Sequence, residues 1–159
     1  MTTRYRSKTV ATWLALAFGS LGLHRLYLRG ARDWLAWLHP LPTLAGLYGV
    51  LRMRELGQDD RLAWLLIPLL GLMLSQAMLC AIVYGLTADD KWNRQHNSGD
   101  PTPATAWGPV LGVMLALLLG GTVLMGTIAF SVQRFFEWQF DPPPGPGPGA
   151  GQNTQRLTP

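Results

Sequence analysis

The stretch "LAWLLIPLLGLMLSQAMLCAIVYGL", residues 62–86, runs for 25 positions without one charged side chain. A helix needs about 20 apolar residues to cross a hydrocarbon core about 30 Å thick. A core helix of a water-soluble domain keeps a polar face, and this stretch has none. It therefore reads as a helix dissolved in acyl chains. A second uncharged run, residues 107–132, reads the same way.

Two weaker runs lie upstream. Residues 34–51 are apolar but contain His39, Pro40 and Pro42. Prolines in the first turn of a helix beginning near Pro40 account for them; a broken membrane helix is the alternative. Residues 10–23 are short for a span unless the helix continues through His24 and Arg25 toward Leu28. Trp13, Trp34, Trp64, Trp107 and Trp138 all fall near the ends of runs, where amphipathic rings collect at the headgroup level.

The expectation is an all-α integral membrane helical bundle of about four transmembrane helices. Residues 1–54 form a helical hairpin, and residues 55–140 form two further spans. Residues 133–140 carry the last helix past the lipid, with Phe135, Phe136 and Trp138 in the interface. Residues 141–159, rich in Pro and Gly and nearly free of hydrophobes, form a disordered tail. Ser7 and Asp59–Asp60 suit helix starts, and residues 99–106 suit a loop. Arg4 to Lys8 resembles the basic region of a signal peptide, but only 5 to 7 apolar residues separate it from an Ala-rich cleavage site, too few for removal to be expected.

The bulk numbers agree. The chain is 48% hydrophobic and only 14% charged, against roughly 25% charged in a soluble domain. The net charge of +4 is scattered over segment ends, with no basic stripe, so nucleic acid is not an expected partner. The lone Cys80 excludes an intramolecular disulfide. His24, His39, His96 and Cys80 show no metal-ligand spacing, and no cofactor motif is present. Gln76, in the middle of the third run, is expected to bond to a neighbouring helix or to its own backbone.

The segment "KTVATWLALAFGSLGLHRLYL", residues 8–28, resembles the opening of the two-transmembrane (TM-two) domain family. That pattern is a Lys, a short Ala/Leu-rich helix, a Gly-x-x-Gly-x-His-Arg-Phe-Tyr-Leu-Gly turn and a second helix. Gly19, Gly22, His24, Arg25, Tyr27 and Leu28 match it. Leu26 replaces the usual Phe, and Arg29 stands where Gly is usual. The resemblance covers residues 8–54 and implies a membrane hairpin, with no enzymatic activity to carry over. The eukaryotic branch has an Asp-Arg-Phe turn on the cytosolic side and signalling roles; His24 and Leu26 depart from it, so those roles are not transferred.

Read from the residues alone, Gly19 and Gly22 allow close backbone approach where the first helix ends, and Arg25 and Tyr27 sit at the interface. His24, Arg25, Tyr27 and Arg29 form the candidate interaction turn, facing a membrane-protein partner or an anionic headgroup; a purely structural anchor is the blander account. No nucleophile–base arrangement lies near it, so no enzyme is expected.

Gly108, Gly112, Ala116 and Gly120 form a ridge of small residues at four-residue spacing, expected to face another helix in the bundle or in a second copy. Ala77, Ala81 and Gly85, and Ala11, Ala15 and Gly19, form shorter ridges. Counting basic residues across four spans puts both termini in the cytoplasm of a bacterial inner membrane. The expected function is a non-enzymatic scaffold or interaction module with the lipid bilayer, a membrane protein or a second copy as partner. A small transporter or channel-forming subunit is the alternative.

Overall fold

The computed structural model describes residues 5–97 and 106–140. Among them the chain is all-helical. The elements are α1 (Lys8–Phe18), a 3₁₀ turn (Gly19–Leu21), α2 (Leu23–Arg29), α3 (Trp34–Leu38), α4 (Pro40–Leu56), α5 (Arg61–Leu86), α6 (Asp89–His96) and α7 (Gly108–Phe140). The expected tail and most of the loop before the fourth run lie outside the described residues.

Helix α5 is the axis of the bundle, with α1, α4 and α7 all packed against it. Among the described residues, α5 and α7 are the two single helices long and apolar enough to cross a membrane. Within their most apolar windows, 22% of α5 and 11% of α7 is buried inside the protein. A soluble core helix of that composition would be mostly covered, whereas these turn leucines outward, among them Leu65, Leu79, Leu117 and Leu118.

Small residues set the packing distances. The α7 ridge meets α1 and α5. A Cβ at Gly108 would lie 2.7 Å from Thr9, one at Gly112 2.8 Å from Thr12, and one at Gly120 2.7 Å from the Met78 Cβ. Ala116 is fully buried with Ala15, Met78 and Ala81. On α5, Ala77, Ala81 and Gly85 are buried beneath α1 and α7. Gly46 and Gly49 let α4 lie on Leu70 and Leu66. The helix dipoles run antiparallel in both pairs, as ascending contact positions on α1 and α4 meet descending ones on α5.

The first run does not form one helix. It stops at Gly19, packed on Ala77, and the chain reverses through Gly22. Gly22 has φ 79° and an added Cβ would fall 2.6 Å from the Ala36 carbonyl oxygen, so this corner requires glycine. Helix α2 then returns to where α1 began: the Ser7 N–H donates to the Tyr27 Oη at 2.9 Å. Since Ala77 lies nine residues from the α5 terminus, the corner sits about 14 Å inside the bundle at 1.5 Å per residue.

From Asp33 the chain runs back down the bundle through α3 and α4. The two are separated only at His39, which keeps helical dihedrals; Pro40 and Pro42, at the start of α4, supply no N–H to bridge the break. The residues from Trp34 to Leu56 thus span about 34 Å of near-continuous helix.

This geometry corrects one expectation. The four-span charge count set Lys8 and residues 89–94 on opposite faces of a membrane. Yet the Lys8 ammonium is 2.9 Å from Asp89, the Trp92 indole donates to the Arg6 carbonyl at 2.9 Å, and the Arg6 N–H donates to Asn97 at 2.8 Å. Contacts of that length cannot straddle a bilayer. The physical reason is the reversal at Gly19–Gly22, where the first apolar run stops and the chain turns back toward Ser7.

Tryptophans mark two levels. Trp13, Trp34, Trp37, Trp92 and Trp107 lie at the end holding the amino terminus, and Trp64 and Trp138 at the other. Trp13 donates to the Gly108 carbonyl, Trp37 to Ala31 and Trp64 to Gln58.

Candidate interaction site at the hairpin end

The His-Arg pair lies on helix α2, not in a loop. Seven residues make two helical turns, so positions 24 and 28 share one face while 25 and 29 share another. His24 and Leu28 are buried at 1% and 6% exposure, respectively. Leu28 packs with Ala11 and Trp92.

Arg25 is held by Asp33, its Nε donating to Oδ2 at 2.9 Å, and both side chains are largely covered. Asp33 also caps α3 by accepting from the Leu35 N–H at 3.2 Å. Arg29 reaches the same carboxylate at 3.7 Å, but its side chain stays 66% exposed. The Arg25 guanidinium, beside Asp33, holds that carboxyl below the usual carboxylate range. A charge entering a low-dielectric region survives by such pairing.

Of the four residues singled out in the sequence, then, three point inward. His24 packs against rings, Arg25 pairs with Asp33, and Tyr27 accepts from Ser7. Arg29 faces outward. Beside it stand the exposed Arg32 and the indoles of Trp34 and Trp37, 69% and 63% exposed. This basic and aromatic group is accessible at that end.

Beneath it lies a ring column the sequence did not suggest. The His24 ring is 6.0 Å from His39 and 5.9 Å from Tyr84; Tyr84 is 5.9 Å from Trp92, which stacks on His96 at 4.3 Å. The rings come from α2, the α3–α4 junction, α5 and α6. The His39 Nδ1 lies 2.7 Å from the Leu35 carbonyl, which makes it the protonated nitrogen and leaves Nε2 to accept from Gln76 at 3.4 Å. Gln76 thus bonds across to another helix. The His24 Nδ1 is buried without a hydrogen-bond partner.

Trp92, 3% exposed, was also missed. Its helix α6 carries a local signal: Asp89 and Asp90 open it and Arg94 and His96 close it, matching the helix dipole. Pro68 inside α5 drew no attention because the run around it is so apolar.

Among the described residues, no three of His, Cys, Asp and Glu are grouped to hold a metal ion. Compared with protein-family models, curated proteins and solved structures, the chain matches none. The likeness of residues 8–54 to the two-transmembrane domain family stands on its motif residues alone.

Proposed function

We propose that this protein is a non-enzymatic, multi-pass membrane protein whose hairpin end is a contact surface for a membrane protein partner. The supporting observation is the division of labour on and beside α2. Arg25 and Tyr27 are consumed by Asp33 and Ser7, while Arg29, Arg32, Trp34 and Trp37 remain exposed. Trp and Arg are the residues on which interface energies concentrate.

In this reading the chain crosses the bilayer three times, through α5, α7 and the joined α3 and α4, neither of which is long enough to cross alone. Helices α1 and α2 enter about halfway and return, and α6 lies in the interface. Arg6, Lys8, Arg25, Arg29, Arg32, Lys91 and Arg94 gather at the hairpin end, against Arg52, Arg54, Arg61 and Arg134 at the other. The positive-inside rule then sets the hairpin end in the cytoplasm, in a bacterial inner membrane, with the end of α7 outside. The two-transmembrane domain pattern implies a first helix that crosses, whereas in this reading its motif residues Gly19, Gly22, His24, Arg25 and Tyr27 build a doubled-back segment.

Cross-linking in native membranes, followed by affinity isolation, tests the surface. A partner captured by the wild type and lost with Arg29→Ala plus Trp37→Ala supports it. Equal capture by both, or by neither, contradicts it.

One observation favours a second reading, a transport unit. The unpartnered His24 nitrogen, His39 and Gln76 would put polar groups at bilayer depth in the membrane reading, where such groups mark pathways. Proton or ion flux in liposomes holding only this protein, abolished by His24→Phe, would favour it over the scaffold.

A further inference from the structure

The end of the bundle opposite the hairpin carries a groove that changes character along its length. At the mouth, a cavity of about 590 Å³ is lined by Gln58, Asp59, Arg61, Trp64, Arg134 and Glu137. Next to it, a cavity of about 380 Å³ shares Arg61, Trp64 and Arg134 and adds Leu65, Pro68 and Trp138. Farther along the same α5–α7 seam, beyond the contact of Gly71 with Thr127, a mostly apolar cavity of about 370 Å³ is walled by Leu72, Leu79, Leu117, Leu124 and Gly120, with Ser75 and Gln76 on its α5 side. Polar, mixed and apolar sections follow one another from the helix ends toward the middle.

Arg134 is fixed at the junction. Its guanidinium lies 5.0 Å from the Trp64 ring centroid and 5.4 Å from that of Phe130, it pairs with Glu137, and its Nε is buried without a partner. Glu137 also accepts from Gln133 at 2.8 Å. Two guanidiniums, two carboxylates and the Trp64 indole therefore line the mouth, with formal charges in balance, and the Trp138 indole lines the cavity next to it.

We propose that this seam is a binding site for one zwitterionic phospholipid bearing a primary ammonium. Its phosphate sits against Arg134 and Arg61, since planar guanidiniums bind phosphate oxygens with paired hydrogen bonds. Its ammonium faces Asp59, a carboxylate at the mouth that attracts cations. One acyl chain follows the seam past Leu65 and Pro68 into the Leu72–Gly120 section. An apolar partner helix fits the mouth less well, because it offers neither the anion nor the cation that the charged lining attracts. The proposal rests on α5 and α7 being in lipid, and is independent of the hairpin surface.

The test is native mass spectrometry of the detergent-solubilised full chain, titrated separately with an ethanolamine phospholipid, a glycerol phospholipid of the same chains, and inorganic phosphate. Two variants separate head from chain: Arg134→Met removes the phosphate contact, and Leu65→Trp, at a position 75% exposed, fills the neck of the groove. Membrane fractionation of each variant checks that the chain still enters the bilayer. The expected result is one ethanolamine lipid held about tenfold more tightly by the wild type than by either variant, with phosphate alone not competing. Preference for the anionic lipid, displacement by phosphate, or equal retention by Leu65→Trp overturns the proposal. A chain absent from the membrane fraction would instead overturn the membrane reading itself.

Discussion

Arg25 and Asp33 meet at 2.9 Å across the open end of the hairpin, tying α2 to the start of α3. The contact explains why the motif pairs a histidine with an arginine so soon after an apolar helix. The histidine packs inward, and the arginine finds its counter-charge eight residues on.

The pair makes stability depend on acid. The Asp33 carboxyl is lowered chiefly by the hydrogen bond from Arg25, and Asp60 is lowered chiefly by the one from Arg52. A carboxyl depressed in the folded state contributes stability above its unfolded value of about 3.9, and that stability is lost as pH falls through the folded value. As these two carboxyls protonate, the midpoint of thermal unfolding in detergent should fall, most steeply below about pH 4. Asp33→Asn plus Asp60→Asn should start lower and decline less. An equal acid decline in that variant would show that other groups carry it.

Glycine positions should separate by geometry. Gly22→Ala combines a φ of 79° with a Cβ placed 2.6 Å from the Ala36 oxygen. A left-handed non-glycine residue alone costs about 1–2 kcal/mol, and the clash adds to it. Gly121→Ala lies in α7 with nothing within 4 Å of the added carbon, and should stabilise by up to about 1 kcal/mol through helix propensity. Melting temperatures of the two variants should move in opposite directions.

The ridge on α7 should resist enlargement. Ala116 is fully buried and Gly112 faces Thr12. Ala116→Leu and Gly112→Leu should each cost about 1–3 kcal/mol or more by overpacking. Leu118→Ala, at a position 67% exposed, should change the melting temperature little. Unchanged stability in both leucine variants would mean that α7 does not pack on α1.

Helices α5 and α7 could be read from the sequence because each is decided locally: 25 uncharged residues leave few alternatives. The small-residue ridges were readable for a similar reason, being periodic along one helix. The reversal at Gly22 was not. Its glycines were visible, but whether the chain continues or doubles back depends on Tyr27 finding Ser7 and Arg25 finding Asp33, which no window of the sequence contains. The charge count assigns sides by alternation of runs, so it could not register that Lys8 lies beside Asp89. The ring column from His39 to His96 draws on four parts of the chain and left no periodic trace.

Alkaline carbonate washing offers a coarse check of embedding. With 11% of its apolar window covered by protein, α7 needs lipid around it, and the chain should stay in the membrane pellet. Release into the supernatant as a monomer without detergent would show that water suffices.

The sharpest measurement is sidedness of the hairpin. In a Cys80→Ser background, Tyr5→Cys, Ala31→Cys and Gln58→Cys are each labelled in sealed membrane vesicles with an impermeant maleimide. The account predicts that positions 5 and 31 react from one face and position 58 from the other. Positions 5 and 31 reacting from opposite faces would mean that the first run crosses the bilayer, which contradicts the doubled-back hairpin and the three-crossing arrangement built on it.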